Sequence, residues 1–66
     1  MLNLKLSRIK KGYSQAKLAE IVGVSGYSIS RYETGVQSPS VETLLKLSDV
    51  LEVTTDYLLG KENVNG

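Results

Sequence analysis

Arg31 is the side chain best suited to reading another molecule, because its planar guanidinium can present two parallel donors to guanine O6 and N7, the commonest specific contact in the DNA major groove. Helical spacing puts it in an outward set, Gly26, Tyr27, Ser30, Arg31 and Thr34, opposite an inward pair three residues apart, Ile29 and Tyr32. Tyr27 can offer a ring edge to a thymine methyl or its hydroxyl to a phosphate, or can simply pack on a neighbouring side chain. Ser30 can reach either kind of group, while Ser25 and Thr34 at the helix ends are better placed for phosphate. Gln15 begins the preceding helix, at the positive end of a helix dipole beside unsatisfied N–H groups, where a phosphate fits. Turnover has little to work with. The chain holds no histidine and no cysteine, no metal-ligand cluster and no paired carboxylates beside a pocket-forming element, so the sequence supplies no catalytic residues, no metal site and no cofactor.

Two short helices must position these groups, within Ser14 to Gly35. Ser14 sits where an N-cap belongs, and Gln15 to Val22 carries apolar residues at Leu18, Ile21 and Val22. Gly23 stops that helix, as a residue free to take positive φ would. Ser25 caps the next helix. Tyr13 with Leu18, and Val24 with Ile29, are spaced as hydrophobic staples at the two starts. Ala19 is small where the helices would cross closest. The pattern is a helix-turn-helix.

Around it the spacing predicts three further helices. Asn3 can cap a first helix running to about Lys11 and ended by Gly12. Its apolar residues are ambiguous: Leu2, Leu6 and Ile9 fall on one stripe and Leu4 on a neighbouring one, so the buried face stays open. Lys10 and Lys11 close that helix, where a dipole role and a DNA role are equally served. Val36 to Ser38 reads as a loop, and Pro39-Ser40 announces a fourth helix with an inner stripe of Val41, Leu44, Leu47, Ser48 and Leu51, and Leu45 beside it. Thr54 can cap a short fifth helix, Thr55 to Leu59, with Val53 and Leu58 as a third staple and Gly60 ending it. The expectation is an all-α, compact five-helix bundle in one domain, 1–66, with an ordered core over 1–60 and a frayed tail over 61–66.

Sixty-six residues make one domain that buries only about 60% of its unfolded surface, so stability of a few kcal/mol is expected. No apolar run approaches the ~20 residues of a membrane span, and no signal peptide is visible, so the reading is cytoplasmic with no membrane partner. The missing cysteines suit a reducing compartment without proving one. The net charge is only +1, but up to Gly35 six basic residues face two acidic ones, and from Val36 onward two basic residues face five acidic ones. One half could face phosphates while the other faces away.

The segment resembles the helix-turn-helix of the lambdoid phage repressor and Cro group, the XRE family. The matching residues are Gln15, Leu18, Ala19, Val22, Gly23, Val24, Ser25, Ile29, Arg31, Tyr32, Glu33 and Gly35, and the likeness extends from about Leu4 to Gly60, with a TTDYLLG-like ending. The resemblance implies that Arg8 pairs with Glu33, pinning the first helix to the third. It implies a backbone-phosphate contact for Gln15. It places dimer contacts at the loop before helix 4 and the ends of helices 4 and 5, which makes Leu45, Thr55 and Tyr57 candidates for a small apolar patch; Tyr57 could equally cap the core. Gly26 departs from the pattern, since relatives often carry a long polar side chain there; readout then narrows to Tyr27, Ser30 and Arg31.

The function expected is sequence-specific binding of double-stranded DNA by a transcriptional regulator, a repressor, binding as a homodimer through the major groove to a pseudo-palindromic operator. No small-molecule effector is evident. The alternative is a protein-interaction module, such as the antitoxin of a toxin–antitoxin pair with secondary DNA binding. A toxin-binding role usually needs a segment beyond the DNA-binding domain, and only six residues follow Gly60.

Overall fold

Four helices begin on a side-chain hydroxyl. Ser14, Ser25, Ser40 and Thr54 each accept the backbone N–H three residues on, from Lys17, Ser28, Thr43 and Tyr57, at 3.0–3.2 Å. Each cap is worth about 1 kcal/mol. The computed structural model describes residues 1–61 and contains α1 (Leu2–Lys10), α2 (Gln15–Val22), α3 (Gly26–Thr34), α4 (Val41–Leu51) and α5 (Thr55–Leu58). The fold is the expected all-α five-helix bundle, with no strand among the described residues. The last helix stops one residue earlier than the spacing suggests, and the tail beyond Lys61 lies outside the described residues.

The turn between α2 and α3 needs glycine. Gly23 sits at φ +80°, and its N–H and that of Val24 both donate to Ala19 O, at 2.8 and 3.0 Å. Two donors on one carbonyl reverse the chain within a few residues, and only a residue without a Cβ takes that backbone at little cost.

The core is Leu4, Leu18, Ala19, Val22, Ile29, Tyr32, Leu47, Leu51 and Leu58, with Met1, Tyr13, Val24, Leu44, Val50 and Val53 packed against it. All five helices contribute. This settles the face of α1: Leu4 and Ser7 point in, while Leu2, Leu6 and Ile9 are exposed. The small Ser7 lets the helix lie close to its neighbours, and the same face carries Arg8.

Three expectations are corrected. Asn3 is not a cap: α1 starts after Met1 with no side-chain cap, and Asn3 Nδ2 instead donates to Tyr57 O at 2.8 Å, tying α1 to α5. Val41 does not belong to the inner stripe of α4; it is 74% exposed, because at the first helical position the core has already fallen away from the stripe. Ile21 is likewise exposed, on the flank of α2 beside the buried Leu18 and Val22. No helix of the described residues is long and apolar enough to cross a membrane.

The end of α4 was not anticipated. Glu52 occupies the left-handed region at φ +57° where a helix usually ends in glycine, and its Oε2 accepts from Lys11 Nζ at 2.6 Å. The hydrogen bond from Lys11, and then its charge, hold the Glu52 carboxyl below the usual carboxylate range. An L-residue in the left-handed region carries a backbone penalty that glycine escapes, and a solvent-exposed ion pair offsets little of it. Glu52→Gly should therefore raise stability despite losing the pair; an unchanged or lower midpoint in urea would show that Lys11 outweighs the strain.

Candidate nucleic-acid interface

One carboxylate holds three helices together. Arg8 Nε donates to Glu33 Oε2 at 2.6 Å and Arg8 Nη2 to Glu33 Oε1 at 3.3 Å. The third nitrogen, Nη1, donates to Tyr13 O at 2.8 Å, in the chain entering α2. Gln15 Nε2 donates to Glu33 Oε1 at 3.0 Å. The side chains of Arg8 and Glu33 are only 12% and 3% exposed. Such a two-pronged, charge-assisted contact fixes direction as well as distance. The amino group of Met1 adds two bonds at the same, C-terminal end of α3, to Tyr32 O at 2.9 Å and Glu33 O at 3.1 Å, a cation against a helix C-terminus. With Ile29 and Tyr32 buried beneath it, α3 is held along its inner face and at its end.

Its outer side is open. Tyr27 is 72% exposed, and Ser30 and Arg31 are half-buried beside it. Arg31 Nη1 donates to the Tyr27 hydroxyl at 3.2 Å, and the guanidinium carbon lies 5.2 Å from the ring centroid. Thr34 is exposed and its hydroxyl donates to Arg31 O at 3.3 Å, within the same helix. The Ser25 hydroxyl caps Ser28 N–H and shares a further bond with the Ser28 hydroxyl at 3.0 Å, so the fold already uses it. Gly26 is not on the open row: a Cβ there would meet Ala16 Cα at 3.7 Å, an ordinary contact, so the position faces the start of α2 and its own packing does not demand glycine. Gln15 stands at the start of α2, its side-chain amide oriented by Glu33.

The i,i+4 spacing of Tyr27 and Arg31 was a legible signal for their pairing, but each was read as a separate contact. Lys11, left open between two roles, is tied to Glu52 at the end of α4. The three surface candidates differ in exposure. Leu45 lies on the outer face of α4 one turn from the exposed Val41, whereas Tyr57 is half-buried and lines an open groove with Leu6, Lys10, Lys11 and Asp49. Thr55 is also half-buried, at the first position of α5. Among the described residues no group of His, Cys, Asp or Glu could hold a metal ion.

The helix-turn-helix family model matches residues 4–58. The HTH-type transcriptional regulator ImmR of Bacillus subtilis is 45% identical over 62 residues, 94% of this chain and 49% of ImmR. Among solved structures, the P22 c2 repressor in complex with a synthetic operator superposes with a TM-score of 0.84 at 39% identity, covering 89% of each chain. SinR in complex with DNA superposes with a TM-score of 0.78 at 40% identity, covering 89% of this chain and 98% of that one. The chain spans about half the length of the curated relatives it matches, 49% of ImmR and 52% of the prophage regulator YonR. With the α2–turn–α3 geometry, the matched span and these likenesses agreeing, the chain belongs to the helix-turn-helix family of XRE type.

Proposed function

We propose that this chain binds duplex DNA sequence-specifically as a transcriptional regulator, a repressor that occludes a promoter. It acts in the cytoplasm, without a catalytic step, as a homodimer on an inverted repeat whose half-site centres lie ~34 Å apart. The observation that carries the reading is the contrast between the two sides of α3. Its inner side is buried and pinned through Glu33, while Tyr27, Ser30, Arg31 and Thr34 stand unused by the packing between helices. A rigid helix with a free polar row suits insertion into a major groove. Gln15 at the start of α2 suits the adjacent phosphate, and likeness to the P22 c2 repressor in complex with a synthetic operator and to SinR in complex with DNA supports a DNA partner.

Titration of the preferred and a scrambled duplex tests this, at two salt concentrations. Arg31→Ala should cost ~1–3 kcal/mol on the preferred duplex and much less on the scrambled one. Gln15→Ala should weaken both by similar factors, because phosphates carry no sequence information directly. Equal losses on both duplexes for Arg31→Ala, with a salt slope flatter by about one ion, would move Arg31 to the backbone. Failure of the parent chain to shift any duplex at micromolar concentration would sink the reading.

A further inference from the structure

We propose that Tyr27 is a positioning residue whose task is to hold the Arg31 fork, rather than a reader in its own right. The inference deepens the DNA-binding reading and rests on it. Three observations carry it. The Arg31 guanidinium lies over the Tyr27 ring at 5.2 Å, and Nη1 donates to the Tyr27 hydroxyl at 3.2 Å. Arg31 Nε is shielded from solvent and makes no hydrogen bond among the described residues. Both side chains leave the same face of α3, one turn apart, on a helix whose own direction is fixed by Glu33.

The consequence is chemical. With Nε covered and one Nη1 hydrogen engaged, the donors left for a partner are the remaining hydrogen on Nη1 and the two on Nη2. That is the far edge of the fork, so Arg31 addresses guanine O6 and N7 end-on, not through its Nε side. An unsupported arginine must be ordered at the moment of binding. One stacked on an aromatic ring has been ordered in advance, which sharpens the penalty for a base that does not match. Supporting Arg31 engages one face of the Tyr27 ring and an acceptor lone pair of its hydroxyl.

The test has a DNA-free arm and a DNA arm. In the free chain, the Arg31 Nε–H resonance should be resolved and slow to exchange; it should persist in Tyr27→Phe, which keeps the ring, and average with solvent in Tyr27→Ala. In the DNA arm, a preferred duplex recovered by selection from a random pool is compared with a scrambled one. Arg31→Ala should lower discrimination by about 5- to 150-fold, the range of one bidentate base contact. Tyr27→Ala should lose most of that factor, Tyr27→Phe should recover part of it, and Tyr27→Ala combined with Arg31→Ala should lose no more than Arg31→Ala alone. Additive losses would mean that Tyr27 reads a base independently and would overturn the proposal. So would equal losses on both duplexes for Tyr27→Ala, the signature of a phosphate contact. A protected Nε–H in a parent chain that binds no duplex would instead bring down the DNA reading, and the positioning role with it.

Discussion

Glu33→Ala should remove most of the domain's stability. Removing the carboxylate strands the Arg8 guanidinium, 12% exposed, with Tyr13 O as its one remaining partner. It also frees the Gln15 amide. Breaking a buried pair from one side costs about 3–5 kcal/mol, and the residual exposure of Arg8 argues for the lower end. A core this small supplies rarely more than about 3–5 kcal/mol in total, so the loss consumes most of the stability. Thermal unfolding followed by circular dichroism measures it. Glu33→Gln should be milder, since an amide oxygen can still accept from Arg8 Nε. Replacing both partners by apolar residues, Arg8→Met with Glu33→Leu, should recover much of the loss, because no charge is then left without a partner. A melting temperature for Glu33→Ala close to the parent's would show that the network contributes direction and little stability.

The second large effect concerns assembly. If the exposed Val41–Leu45 face of α4 joins two copies, each half-site holds the second copy close, and the second contact forms at high effective concentration. Leu45→Glu should then weaken binding to a full inverted repeat by about 10²–10⁴-fold, toward the affinity for a single half-site. Leu45 is exposed and makes no hydrogen bond, so stability should move by no more than about 0.5 kcal/mol. Affinities for full and half operators would be compared for parent and variant. A variant that folds and still binds the full repeat as tightly as the parent would place the contact elsewhere, with the Tyr57 groove next to be tested.

What the sequence revealed was mostly local. Ser14, Ser25, Ser40 and Thr54 announce helices because a cap needs only a hydroxyl and an N–H three residues on. Gly23 announces the turn for a similarly short-range reason. Asn3 misled because its amide had a better partner 54 residues away, at Tyr57 O, which no local pattern displays. The face of α1 was undecidable because apolar residues lie on both sides of it. Burial went to Leu4 and the small Ser7, the side that also lets Arg8 reach Glu33. Glu52 gave no signal at all, since a charged residue in a left-handed cap is selected by the geometry of the following turn, not by its own preference. On α3, the inward pair Ile29 and Tyr32 and the exposed Tyr27 and Thr34 were legible from helical spacing. The link between Tyr27 and Arg31, and the withdrawal of Gly26 from the outward set, needed coordinates.

The division of labour on α3 bears on how such a protein could be rewritten. Among the described residues, α3 is tied to the rest of the fold by the buried Ile29 and Tyr32, by the Glu33 carboxylate and by its terminal carbonyls. The side-chain hydrogen bonds of Tyr27, Arg31 and Thr34 stay inside the helix. The outer row therefore behaves as a cassette: exchanging the exposed Tyr27 and Thr34 should cost the chassis little, whereas a change at Glu33 meets a stability barrier at the first step. A lineage built on this plan can diversify its targets quickly while its architecture stays fixed.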